Sequence, residues 1–153
     1  MYICVNKKFD GRIRVSYTRT EDVEQRQQVE HPLVREALDI AIDRDAIFKA
    51  LFPRGDAMQA VSAFPPAIPG YNKKLKNEFD PAKAKALLAK AGFPNGFDID
   101  LWALPVQRPT NPNGQLMAQL IQQDWARIGV RASIKTYEWG EYLKRANNGE
   151  HSV

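Results

Sequence analysis

Three stretches of sequence predict an α/β fold carrying a βαβ unit at about residues 97–137. First, Phe97, Ile99 and Leu101 alternate with Asp98 and Asp100 before Trp102, Ala103 and Leu104 run apolar, the pattern of a strand that becomes more buried towards its end. Second, Leu116, Met117, Leu120, Ile121, Trp125 and Ile128 recur at helical spacing, with Asn111-Pro112 as the expected start and Gly129 as the stop. Third, Val130, Ala132, Ile134 and Thr136 alternate with Arg131, Ser133, Lys135 and Tyr137, a half-buried strand. Strand, helix and strand in this order imply parallel pairing and a right-handed crossover. A last amphipathic helix is expected from Gly140 to Asn148, with Tyr142, Leu143 and Ala146 facing inward.

The elements before this unit follow from helix signals. Pro32 suits a first helical turn. Leu33, Ala37, Ile40 and Ala41, then Ile47, Phe48 and Leu51, recur at helical spacing, and Asp43 or Asp45 is placed to cap a second piece. Two helices meeting at Ile42-Asp43-Arg44 are therefore expected, ended by Pro53 and Gly55. Asp80-Pro81 starts another helix as cap and first residue. Ala84, Leu87, Leu88 and Ala91 form its apolar stripe, and Gly92 and Pro94 end it. Residues 53–79, with Phe64-Pro65-Pro66 and Pro69-Gly70, read as a long connection pinned by Phe64 and Tyr71. Tyr2–Val5 suggests a short strand, Asp10-Gly11 a turn, and Ile13, Val15 and Tyr17 a brief alternating run; Thr20–Glu30 is loop or frayed helix.

Composition bounds the function. The 153 residues suit one domain, and 44% hydrophobic and 26% charged residues suit a globular one. Net charge is +4, but acidic and basic residues interleave, so no basic stripe with aromatics points to nucleic acid. A single cysteine, Cys4, excludes an internal disulfide, and His31 and His151 lie too far apart for ligand-like spacing. No cofactor or metal is expected. No apolar run approaches a membrane span. The N-terminus lacks the apolar core of a signal peptide, so the chain as written would stay cytoplasmic.

No catalytic constellation stands out, so no enzyme is expected. Asp98 and Asp100 should both project from the solvent face of their strand, and Glu138 and Glu141 should serve the positive end of the last helix. Arg108 differs. It is the sole full charge in Pro105-Val106-Gln107-Arg108-Pro109-Thr110-Asn111-Pro112, a loop stiffened by three prolines at the carboxyl end of the first strand. Ligands of open α/β sheets sit beyond those carboxyl ends, and a guanidinium there suits a carboxylate or phosphate. Arg108 is either such a contact or a surface arginine. Tyr137 and Trp139, at the end of the second strand, either line that crevice or pack against the following helix.

The strings DLWALPVQRPTNPN, QLIQQDWARIGVRASIKTYEWGEYLKRANNGEH, DPAKAKALLAKAGF and VREALDIAIDRDAI resemble the periplasmic dipeptide-binding members of family 5 of the extracellular solute-binding proteins of ABC transporters. The resemblance covers most of the chain, from about Pro32 to His151. It implies a partial lobe of a two-lobed periplasmic-binding-protein-like fold over residues 31–153, after a poorly matched N-terminal segment at 1–30. It implies peptide transport: a receptor in the periplasm that closes on a short peptide, a dipeptide among them, and delivers it to an ABC permease in the inner membrane. Arg108 is implied to pair with the peptide carboxylate. Dipeptide receptors carry an aromatic where this chain has Thr110. Family members are several times longer, and the acidic motif for the peptide amino group is expected beyond His151. The expectation is thus a fragment holding half a site. Weak or no dipeptide binding by the isolated chain, and marginal stability or self-association through uncovered surface, go with it. The alternative is a non-functional truncated remnant or a ligand-free interaction module.

Overall fold

The computed structural model describes residues 25, 27–55, 57–59, 61, 71–72, 74–151 and 153. The expected strand at Tyr2–Val5, the features from Asp10 to Tyr17, and the segments Phe64-Pro65-Pro66 and Pro69-Gly70 lie outside the described residues.

Described residues 25 and 27–30 are helical, and a joint of two further helices follows them. Helix α1 (Pro32–Ile40) has Pro32 at its first position, and the His31 ring caps it by accepting from Leu33 N at 3.3 Å. Helix α2 (Arg44–Leu51) follows after three residues, with the Asp43 carboxylate accepting from Ala46 N at 2.9 Å. Each cap satisfies a backbone donor that the first helical turn leaves without a partner. Val34, Ala37, Leu38 and Ile40 of α1 and Ile47 and Leu51 of α2 are buried. The described parts of the long connection contain neither helix nor strand, and Tyr71 is half-buried there. The connection ends where Asp80 N donates to Ile40 O at 2.8 Å, which brings helix α3 (Pro81–Lys90) against α1. Asp80 caps α3 at Lys83 N (2.8 Å), and Ala84, Leu87 and Leu88 form its buried stripe.

The βαβ unit is present as expected. Strands β1 (Asp98–Trp102) and β2 (Arg131–Lys135) pair in parallel, with Asp98 opposite Arg131 and Trp102 opposite Lys135. Ile99, Leu101 and Ala132 turn into the core. The opposite face carries cross-strand ion pairs, Asp98 with Arg131 at 2.6 Å and Asp100 with Lys135 at 3.9 Å. The Arg131 hydrogen bond holds the Asp98 carboxyl below the usual carboxylate range. These two carboxylates are therefore engaged by cations and form no acid–base pair. The turn into β1 and the turn into β2 meet so closely that a Cβ on Gly96 would lie 1.8 Å from Gly129 O, and Gly96 has φ +71°. Only glycine fits there.

Helix α4 (Gly114–Arg127) lies between the strands in sequence and starts later than expected. Its cap is Asn113, accepting from Leu116 N at 2.9 Å. The Asn111-Pro112 signal fails as a helix start because Asn111 belongs to a turn described below. Ala118, Ile121 and Trp125 are buried, and Gln122 Nε2 donates to Ala132 O of β2 at 2.6 Å. Two consecutive α4 residues reach the first helical joint. The Trp125 indole N–H donates to Leu38 O at 3.0 Å, and the buried Asp124 carboxylate accepts from Asp43 N at 2.9 Å. Helix α5 (Trp139–Asn147) begins one residue before the expected Gly140. None of its residues is buried, and Leu143, expected to face inward, is exposed. Tyr142 and Ala146 are half-buried. Helix α5 lies against the sheet edge through its aromatics, and Leu143 is turned away from that edge.

Leu38 O stands in the last turn of α1, where carbonyls run out of helical donors. We predict that Trp125→Phe, which keeps a ring but removes the N–H, destabilises the chain by about 1–3 kcal/mol. Urea unfolding measures this; a midpoint unchanged from the parent contradicts it.

Candidate functional site

The loop between β1 and α4 is a closed excursion from the carboxyl end of the sheet. Ala103 N continues the ladder by donating to Lys135 O at 2.8 Å. At the loop base, a Cβ on Gly114 would lie 2.3 Å from Leu104 O, so the two loop ends touch through backbone and only glycine allows it. Within the loop, Arg108 N donates to Asn111 O at 3.0 Å and Asn111 N to Arg108 O at 2.9 Å. This reciprocal pair makes a tight turn with Pro109-Thr110 at its tip. Asn111 is buried, and among the described residues its side-chain oxygen has no hydrogen-bond partner.

Arg108 is thereby fixed at the main chain while its side chain stays exposed. Its guanidinium carbon lies over the Trp139 ring, 5.0 Å from the centroid. Among the described residues, no carboxylate pairs with it. Arg145 makes a useful contrast: it lies over Tyr137 at 4.6 Å, and Glu141 (2.7 Å) and Glu150 (3.5 Å) neutralise it. Of these two stacked arginines, Arg108 alone keeps its hydrogen-bonding edge for an incoming anion.

A band of aromatic rings joins the two arginines. Trp139 stacks on Tyr142 at 5.9 Å and 17°. Tyr142 meets Trp102 at 5.7 Å, and Trp102 meets Tyr137 at 4.7 Å and His151 at 5.9 Å. The structure thus brings Arg108 and Trp139 together directly. It places Tyr137 at the far end of the band, beside Arg145 and away from Arg108's ring partner. Trp139 both faces the loop and packs on its own helix. Helix α5 starts at this edge because Glu138 caps it, accepting from Gly140 N at 2.8 Å and Glu141 N at 3.3 Å. Glu141 itself is the ion-pair partner of Arg145.

Sequence reasoning missed Trp102 as the centre of this band, although a signal existed. Alternation puts Trp102 with Asp98 and Asp100 on the face away from the core, and a large aromatic on that face at a strand's carboxyl end marks a crevice wall. Among the described residues no group of histidine, cysteine or acidic side chains is arranged to hold a metal, and no helix is long and apolar enough to cross a membrane. The site thus presents an exposed guanidinium beside an aromatic wall.

Residues 2–153 match the bacterial extracellular solute-binding proteins, family 5 middle. The chain belongs to this family. The family binds solutes and is not catalytic. The dipeptide-binding protein of Escherichia coli K12 is 53% identical over 130 residues, which are 84% of this chain and 24% of the relative. The heme-binding protein A of Haemophilus influenzae is 49% identical over 118 residues, 76% of this chain and 21% of the relative. The crystal structure of a dipeptide binding protein from Pseudoalteromonas sp. SM9913 in complex with Met-Leu superposes with a TM-score of 0.74 at 39% identity, covering 82% of this chain and 26% of that one. The chain thus spans about a quarter of these relatives' length and corresponds to part of a lobe of the periplasmic-binding-protein fold.

Burial in the band pushes the Tyr142 phenol above its ordinary value. Burial disfavours the phenolate, so this contribution to stability is full below the unfolded tyrosine pKa of about 10 and is lost as pH rises through the higher folded value. Alkaline titration followed by tyrosine absorbance should show a late component that Tyr142→Phe removes, with near-ultraviolet dichroism of the band decaying over the same range. Identical titrations of the two proteins contradict the packing described.

Proposed function

We propose that this chain supplies the carboxylate-binding side of the peptide site in the substrate-binding component of an ABC-type importer for dipeptides and oligopeptides. The observation that carries the proposal is Arg108: a guanidinium at the carboxyl edge of two parallel strands, held over Trp139 and without a carboxylate partner among the described residues. A bidentate guanidinium–carboxylate pair is among the stronger hydrogen-bonded contacts a protein makes, and its planar fork selects carboxylates by shape as well as charge. The relatives named for dipeptides support the cargo class. Tyr137 and Trp139 belong to the wall on which the peptide lies. The partner is the importer's permease in the inner membrane, the compartment is the periplasm, and the chain performs no catalysis.

The relative named for heme favours a second cargo, because haem also presents carboxylates and a flat face for an aromatic wall. One titration separates the readings. Alanylalanine and its C-terminal amide are added to the labelled chain and followed by amide chemical shifts. The acid should perturb residues 106–111 and Trp139 and bind about tenfold more tightly than the amide, as loss of a charge-assisted contact implies. Arg108→Gln should erase that preference. Equal binding of acid and amide, or a preference that survives Arg108→Gln, contradicts the proposal. Haem that shifts its Soret band on the chain and is not displaced by alanylalanine replaces the peptide reading with the second one.

A further inference from the structure

We infer that Trp139 is a positioning residue for Arg108, holding the guanidinium by its face so that its hydrogen-bonding edge is presented to a carboxylate. The inference rests on the carboxylate-binding reading of Arg108 and names what makes that residue selective. The main chain of Arg108 is fixed by the reciprocal bonds to Asn111 at 3.0 and 2.9 Å. The side chain is exposed and, among the described residues, pairs with no carboxylate. Arginine has large rotamer freedom, so a fixed backbone alone leaves the guanidinium sweeping a wide arc.

The contact that limits this arc is the Trp139 ring, 5.0 Å from the guanidinium carbon, well inside the range at which a cation is attracted to an indole face. The ring is itself held. Trp139 is the first residue of α5, the Glu138 carboxylate caps the helix at that point, and Tyr142 stacks on the indole at 5.9 Å. Tyr142 in turn rests on Trp102, which ends β1. An unbroken series of rings therefore ties the position of the guanidinium to the sheet. The five N–H donors of a guanidinium lie in its plane. A contact made through the face leaves them free for a planar acceptor with two oxygens, whereas an ammonium in the same place has no such edge.

The test uses the full chain with 4,5,6,7-tetrafluorotryptophan placed at position 139, which keeps the ring's outline and removes most of the negative potential of its face. Trp139→Leu serves as the second variant. In the ligand-free chain, the Arg108 Nε–H resonance should move out of the indole ring current in Trp139→Leu. With alanylalanine as the probe, the fluorinated chain should bind about two- to fivefold more weakly, with little change for the amide. Unchanged alanylalanine affinity in the fluorinated chain, or an unmoved Arg108 resonance in Trp139→Leu, overturns the inference. If Arg108→Gln abolishes the preference for acid over amide while the fluorinated chain binds as the parent does, positioning alone fails and the carboxylate-binding reading stands. If Arg108→Gln leaves the preference intact, that reading fails, and the ligand-free resonance still decides whether Trp139 orders Arg108.

Discussion

Asp124 and Trp125, neighbours on α4, hold both sides of the joint between α1 and α2. One accepts from Asp43 N and the other donates to Leu38 O, across 81 and 87 residues of sequence. Both groups they satisfy are backbone atoms at helix ends, which a helix cannot satisfy internally. The Trp125 bond is buried, so its alternative is an unpaired polar group in a dry core; the Asp43–Asp124 bond is partly buried, and its carboxylate also pairs with Arg127 at 3.0 Å. The same helix packs on the sheet through Ala118 and Ile121 and bonds to β2 through Gln122. Helix α4 therefore joins the helical layer to the two-stranded sheet, and Gln25 adds a second tie by accepting from Asp100 N at 3.1 Å.

The candidate site inherits its rigidity from that arrangement. The loop bearing Arg108 leaves from the end of β1 and returns at the first residue of α4, and the contact of Leu104 with Gly114 closes its base. If α4 shifted, the loop would open. The aromatic band stands on the same edge, from Trp102 at the end of β1 to Trp139 at the start of α5. The loop and the band both stand at the carboxyl ends of the parallel strands, the side of such sheets where ligands bind. The charge that can be used there is a local feature: Arg145 is neutralised by Glu141 and Glu150, and Arg108 is left with an aromatic face and a free edge.

Much of this was legible in the residues. Asp80-Pro81 and Gly92 bracket a helix because cap and stop chemistry is local. Alternation from Phe97 to Leu101 and from Val130 to Ile134 gave both strands because period two survives any tertiary context that buries one face. The features that escaped are those decided at a distance. Asn111-Pro112 looks like a helix start, yet Asn111 is taken by Arg108 and the cap passes to Asn113, two residues on, which carries the same side chain. Leu143 fits an inward stripe on helical spacing, but the sheet edge receives α5 through Trp139 and Tyr142, and Leu143 is left in solvent. Asp124 reads as an ordinary charged helix residue, since its partner, the Asp43 amide, lies in a different helix joint. Arg108 was singled out by its loop, while its tie to Trp139, across 31 positions, is a product of the fold.

The most direct test of this account is amide and indole hydrogen exchange of the intact chain. The Trp125 indole N–H and the Asp43 amide should exchange only through global opening, with the same free energy as the β1 and β2 amides. Exchange of Trp125 and Asp43 at the rates of the exposed loops, with the strands still protected, would show that α4 does not join the two layers and would contradict it.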